Sequence, residues 1–366
     1  MDISEITNQS EWNTFFDAAG SLSFHHSWEW GEFQKLLGHD ILRIGLYEKG
    51  SLEAIALVVK IRAKRGPFLF IPHGPIFRIP SQRLAQKIPQ DGLSRMQEQL
   101  KHIQQYLIDI AKQEGFWFIR IAPVLERTQT NENLFASLGF KTAPLYIHAE
   151  TMWVVDLMQS ADDILKNMRK NTRYYVKRAI RENMSVTKHA SIEALDDFWN
   201  LYKLTSQREH FTPYSKTYLT HEFNAFHKNN NALFFFGGFH NSPKNIIPPK
   251  FAQRGASQKL AGSLIVFTKS CGYYHQGASI HTQFPAAYLL QWESILESQK
   301  RGCQYYSFHG IFDPGRTPRA WEGLSLFKRG FGGFQVDYLY TQDYVVSPWY
   351  FMNFCAEKYL AFRRGI

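Results

Sequence analysis

Apolar and polar positions along this chain follow a pattern that occurs twice. Residues 41–47 and 53–60 are strand-forming runs separated by a turn at 48–51, and residues 232–239 and 260–267 form a second such pair. Each pair predicts an antiparallel hairpin. After the first, residues 93–113 carry a helical apolar period that stops at Gly115, followed by Phe116-Trp117-Phe118-Ile119-Arg120-Ile121. After the second, residues 286–300 do the same, stopping at Gly302 before Tyr305-Tyr306-Ser307-Phe308. Glycine just beyond a helix accepts the left-handed conformation that ends it. Each half then has a Leu-Phe segment, Asn133-Leu134-Phe135-Ala136-Ser137-Leu138-Gly139-Phe140 in the first and Ser325-Leu326-Phe327-Lys328-Arg329-Gly330-Phe331 in the second. This internal repeat predicts an α/β fold of two tandem domains with mixed sheets. They are expected over 1–150 and 151–337, with residues 338–366 returning to pack on the first.

Bulk properties narrow the partners. A chain of 366 residues suits two cores, and a 16% aromatic content supplies material to fill them. The net charge of +10 favours anionic partners such as RNA, a nucleotide diphosphate or an acidic lipid surface. Met-Asp-Ile-Ser-Glu at the start has neither the basic nor the apolar region of a secretory signal. No run approaches the roughly 20 apolar residues of a membrane span, so a cytoplasmic protein is expected. Cys271, Cys303 and Cys355 are isolated and offer no disulfide framework or metal-ligand spacing. Phosphate-loop, serine-elbow and zinc-helix motifs are missing. His25, His26 and His309 read as structural or substrate-contacting. Residues 241–259, rich in Pro, Asn, Lys and Gly, predict a mobile loop in the second hairpin.

Two segments carry unusual charge. Residues 162–183 predict one helix on which Lys166, Arg169, Lys170, Arg173, Lys177 and Arg181 share a stripe of about 120°. Six cations without interleaved acids repel one another, so the stripe calls for an anion such as nucleic-acid phosphate. In residues 323–340, Lys328 and Arg329 interrupt an aromatic, glycine-rich run. A cation there is costly unless it reaches water or meets an anion. Such a cation could stabilise the oxyanion of an acyl transfer, or simply snorkel from a strand end. Gly330, Gly332 and Gly333 let the backbone turn sharply or approach a ligand closely.

That segment follows three others in order: His26-Ser27-Trp28-Glu29-Trp30-Gly31-Glu32-Phe33-Gln34-Lys35, Lys170-Asn171-Thr172-Arg173-Tyr174-Tyr175-Val176-Lys177-Arg178-Ala179, and Tyr273-Tyr274-His275-Gln276-Gly277-Ala278-Ser279. Together they resemble the FemABX family of peptidyltransferases, in its FemX-like form without a coiled-coil arm. Residues 133–140 are also similar to the closing helix-turn of GNAT acyltransferases. The resemblance implies two GNAT-like domains that move an amino acid from aminoacyl-tRNA to the stem-peptide amine of a UDP-linked or lipid-linked muropeptide precursor. It implies a monomer, admits peripheral contact with the inner membrane face, and requires no cofactor or metal because the donor ester is already activated. Lys35 and Arg208 would hold a diphosphate, with Tyr214 and Tyr274 as further substrate contacts. Lys328 would stabilise the oxyanion, Phe327 would shape the site, and the basic stripe would take tRNA phosphates. Two rivals remain: a tandem-GNAT N-acyltransferase using acyl-CoA or another donor, and a non-catalytic RNA-binding protein. Neither half has a complete acetyl-CoA pyrophosphate loop; residues 299–304 come nearest.

Overall fold

The computed structural model describes residues 1–78, 90–239 and 258–366, so the loop expected at 241–259 lies, except for its last two residues, outside the described residues. The elements in chain order begin with β1 (Asp2–Glu5), α1 (Gln9–Ala19), α2 (Trp28–Leu36), β2 (Asp40–Glu48), β3 (Ser51–Ala63), β4 (Gly66–Ile71), β5 (Ile76–Phe77) and α3 (Gln90–Glu114). Next come β6 (Phe118–Ile121), α4 (Gln129–Ser137), β7 (Lys141–Thr142), β8 (Thr151–Asp156), α5 (Ala161–Asn167), α6 (Lys170–Arg181), β9 (Ser185–His189), α7 (Ala194–Glu209) and α8 (Lys216–His227). The chain continues through β10 (Ala232–Phe239), β11 (Gln258–Phe267), β12 (Cys271–Ser279), α9 (Ala286–Lys300), β13 (Tyr305–Gly310), α10 (Trp321–Arg329), β14 (Phe334–Asp337), β15 (Gln342–Val345) and α11 (Tyr350–Arg363).

One sheet runs β1-β2-β3-β4-β6-β15-β7, with β5 beside β3; the other runs β14-β8-β13-β12-β11-β10-β9. The same unit recurs in both. An antiparallel meander, β2-β3-β4 or β10-β11-β12, is followed by a helix and then a parallel strand, β6 beside β4 or β13 beside β12. Parallel neighbours require such a crossover. Residues 52–59 of β3 and all of β10 are buried, as expected of strands covered on both faces. Side chains of Asn8, Ser27, Thr128, Ser160 and Ser215 accept backbone N–H groups at the starts of α1, α2, α4, α5 and α8.

Two compact units result. The first comprises Met1–Met152, Gly310–Ser325 and Gln335–Ile366; the second comprises Trp153–His309 and Leu326–Phe334. The sequence pattern placed 310–325 in the second domain, but long-range ion pairs group it with the first. Arg316 grips Glu150 through two bonds of 2.8 and 2.6 Å, and Arg127 reaches Asp313 at 3.0 Å. Strand β15 pairs with β6 and β7. Arg120, buried in β6, binds Asp343 through two bonds of 2.7 Å and Glu357 of α11 through bonds of 2.9 and 2.8 Å.

The single helix expected over 162–183 is two. Met168 and Arg169 are extended, with ψ of 148° and 144°, between α5 and α6. The sequence offers no proline or glycine there; a tertiary contact decides it. The Arg169 N–H donates to Gly330 O at 2.9 Å. A side chain at Gly330 would collide with Thr172, and one at Gly333 with the carbonyl of Val154. Gly332 and Gly333 have φ of 79° and 96°, in the left-handed region. These glycines therefore admit close approach of the chain to itself.

In the first unit His26 shows why part of the Trp-rich motif is structural. Its ring is fully buried, Nδ1 donates to Pro72 O at 2.7 Å, and Nε2 accepts the Leu57 N–H at 2.9 Å. Only the neutral ring satisfies both bonds, since protonation would set two N–H groups against each other. Burial lowers His26 to about 4 and His73 to about 3, from an ordinary 6.5. Each imidazole accepts a proton more readily when unfolded, so its stabilising contribution is complete above the unfolded value and is lost as pH falls through the window from 6.5 toward 4 and 3. Urea unfolding between pH 7 and 4.5 should show stability declining by up to about 1.4 kcal/mol per pH unit for each histidine. A flat profile would contradict the buried neutral assignment.

Candidate active site

Lys35 lies in the last turn of α2, half-exposed, with Nζ 3.0 Å from Glu32 Oε1. The same carboxylate oxygen receives buried Arg43 at 2.9 Å. Arg43 in turn lies 3.6 Å over the Trp28 ring, and any side chain at Gly31 would strike its guanidinium. Trp28, Gly31 and Glu32 thus hold a buried arginine. Burial pushes the Glu32 carboxyl up, but hydrogen bonds from Lys35 and Arg43 outweigh it and hold the group below its ordinary value. Glu32 orients Lys35 while leaving its ammonium accessible to an anion.

The other single-residue candidates belong to the second unit. Strands β12 and β13 pair in parallel only from Cys271–Tyr273 against Tyr305–Ser307. Beyond this the described residues show β12 paired with β11 alone, which opens the sheet at the carboxyl ends of two parallel strands. Crevices of this kind are where open α/β sheets take ligands. Tyr274 lies on β12 just past the last parallel pair, its hydroxyl raised to about 12 by burial. Its ring meets Phe308 edge-on at 6.2 Å. Phe308 lies 5.1 Å from Phe331, and Phe331 lies 5.2 Å from Phe327. The fold therefore joins Tyr274 and Phe327 through one aromatic cluster. Arg208, in the last turn of α7, donates to Ser279 O at 2.6 Å and to Glu209 at 2.7 Å, so it is anchored at the carboxyl end of β12. Tyr214, half-exposed, stacks on Tyr218 with ring centroids 4.2 Å apart.

Lys328 follows Phe327 on α10 and is only 6% exposed. The alternative of a strand-end lysine reaching water is excluded, because the segment is helical and the side chain is buried. Burial lowers its ammonium from 10.5 to about 7. A lysine with this value can exist in both charge states near neutrality, and an arriving negative charge would favour the cation.

Among the expected tRNA contacts, the break separates Lys166 on α5 and Arg169 at the junction from the rest. Lys166 pairs with Asp163 at 3.0 Å. Lys170, Arg173, Lys177 and Arg181 remain on one face of α6. Arg173 is turned back onto Lys166 O at 2.7 Å, where it satisfies an end carbonyl of α5. Lys170, Lys177 and Arg181 are exposed.

A polar pair missed by sequence reasoning adjoins the same strand. Glu222 of α8 is fully buried, and its Oε1 lies 2.6 Å from Nε2 of His275. The other carboxylate oxygen has no hydrogen-bond partner among the described residues. His275 is the extra residue at the β12 bulge, where Gln276 faces Leu264 and Tyr274 faces Ile265. Its ring lies 5.6 Å from that of His309 on β13. Arg208 and Glu222 therefore hold β12 at two points, Ser279 and His275, both beyond its last pair with β13. The available signal was a carboxylate among Leu219, Phe223 and Phe226 on the apolar face of α8. A separate cavity of about 380 Å³ in the first unit, lined by residues including Glu11, Phe15 and Arg78, contains none of these candidates.

The chain is similar to known proteins along nearly its whole length. The lipid II:glycine glycyltransferase of Staphylococcus epidermidis is 21% identical over 406 residues, covering 95% of this chain and 93% of the relative. That of Staphylococcus aureus strain USA300 is 21% identical over 412 residues, with the same coverage of 95% and 93%. The crystal structure of FemX superposes with a TM-score of 0.77 at 19% identity, covering 94% of this chain and 97% of that one. A tandem GNAT protein from the clavulanic acid biosynthesis pathway superposes at 0.50 with 8% identity, covering 95% and 99%, so the two units form tandem GNAT-like folds. The FemAB family model matches residues 7–238 and 246–358, nearly the whole length: this chain belongs to the FemAB family.

Proposed function

We propose that this protein transfers an amino acid from aminoacyl-tRNA to the stem-peptide amine of a muropeptide precursor, in the synthesis of peptidoglycan interpeptide bridges. The buried Lys328, beside Phe327 in an aromatic cluster that reaches Tyr274, is the observation that carries this reading. Family membership and glycyltransferase relatives support the acceptor class. The acceptor nitrogen attacks the ester carbonyl carbon, and the new C–N bond places negative charge on the carbonyl oxygen. Lys328 stabilises that oxyanion as an ammonium. The intermediate collapses by breaking the bond to the tRNA ribose oxygen, which leaves with the proton that the attacking amine gives up. Desolvation strengthens the attraction between Lys328 and the developing charge. Lys35 and Arg208 each contribute a cation for acceptor phosphates. A lipid-linked acceptor would bring the protein to the cytoplasmic membrane face; among the described residues no helix is long and apolar enough to cross a membrane.

Two tests follow. With charged tRNA and a soluble or lipid-linked acceptor, mass spectrometry should show aminoacylated product, and Lys328→Met should lower turnover by about 10²–10³-fold. The pH dependence of stability separates this from misfolding. The native value near 7 lies below the ordinary 10.5, so the lysine's stability contribution is complete above 10.5 and is lost as pH falls toward 7. The Lys328→Met variant should therefore be more stable than the parent near pH 7, by on the order of 4 kcal/mol, with the gap closing toward pH 10. Near-parental turnover would remove Lys328 from the chemistry.

For the donor, Lys170→Glu, Lys177→Glu and Arg181→Glu combined should weaken aminoacyl-tRNA binding and lower its logarithmic salt slope by about two to three. Arg173 is left intact because it serves the end of α5. Unchanged affinity and slope in a filter-binding titration would place the tRNA elsewhere.

A further inference from the structure

Helix α11 has an inverted distribution of side chains. Its inward face carries Tyr350, Asn353, Glu357 and Ala361, all buried, and Glu357 is held by the Arg120 guanidinium. Its outward face carries Phe351, Met352, Cys355, Tyr359 and Phe362; Phe351 is 69% exposed and Phe362 81%. At 100° per residue these five fall within about 100°, with Lys358 just beyond one edge and Arg363 just beyond the other. Trp349, 61% exposed, precedes the helix, and Arg364 follows it.

An apolar face of this kind marks an interaction site. Aromatic and sulfur side chains on one helical face, bordered by basic residues, match a helix lying in a membrane interface. The charge of the border selects the occupant. Lys358, Arg363 and Arg364 complement anionic headgroups, and the chain as a whole carries +10. Two copies meeting face to face would instead bring like-charged borders together. The Arg120–Glu357–Asp343 network holds the helix from behind, so the face is presented by a fixed element.

We propose that the outward face of α11 is a docking surface for an anionic bilayer. Phe351, Met352, Tyr359 and Phe362 enter the headgroup boundary while Lys358, Arg363 and Arg364 lie on lipid phosphates. The inference rests on the lipid-linked acceptor of the proposed function for its purpose, but its test does not require transfer.

The test is co-sedimentation of the full chain with acceptor-free vesicles, either of phosphatidylcholine alone or of phosphatidylcholine mixed with anionic phosphatidylglycerol. The parent should bind the anionic vesicles and lose binding as salt rises. Phe351→Ser with Phe362→Ser should weaken it at least about 10-fold, as should Lys358→Glu with Arg363→Glu. Both pairs point outward, so circular dichroism and urea midpoints should match the parent. Absent binding to anionic vesicles, or binding unchanged in the phenylalanine pair, would overturn the proposal. So would a parental dimer in ultracentrifugation that this pair converts to monomer, which would make the face a self-interface. Vesicle binding without any amino-acid transfer would instead count against the proposed function alone.

Discussion

The backbone contact between Gly330–Gly333 and the α5–α6 junction is the constraint on which the second unit's site depends. It exists because three glycines leave out side chains that would strike Thr172, Asn167 and Val154. In return the Arg169 N–H finds Gly330 O, and the Trp153 indole donates to Gly332 O at 2.7 Å. The contact interrupts an otherwise helical sequence, sets the start of α6, and fixes the chain emerging from α10. Lys328 lies two residues before this turn, and Phe327 and Phe331 pack on either side of it in sequence.

Two buried cations show how differently a fold can treat charge. Arg120 meets two carboxylates with good geometry and serves architecture, joining β6, β15 and α11. Removing either carboxylate would expose the cost of a buried charge, commonly about 3–5 kcal/mol. At Lys328 burial dominates and lowers the ammonium to about 7. The first arrangement holds a chain segment in place. In the proposed reaction the second would supply positive charge to the developing oxyanion.

Much of the architecture is readable in the chain because its signals are local. Paired strand-forming runs give both hairpins, and the register of the first follows from a turn close in sequence, with Asp40–Glu48 against Ser51–Lys60. Helical periods ending at Gly115 and Gly302 give the crossovers. The break at Met168–Arg169 is not readable, because its cause lies some 160 residues away in the glycine turn. The same holds for residues 310–325, placed by Arg127–Asp313 and Arg316–Glu150. Of the site, aromatic Phe327 and Tyr274 could be singled out by motif, whereas Glu222 shows only as a carboxylate in an apolar stripe. Its pairing with His275 appears only after α8 packs near the β12 bulge.

The role proposed for Lys328 requires a desolvated amine that titrates near neutrality. Heteronuclear NMR of lysine-labelled protein, with the Lys328 signal assigned by its loss in Lys328→Met, measures this directly. A titration midpoint near 7 is the result predicted. A midpoint at the ordinary 10.5 would mean a solvated ammonium, and would contradict the role assigned to this lysine.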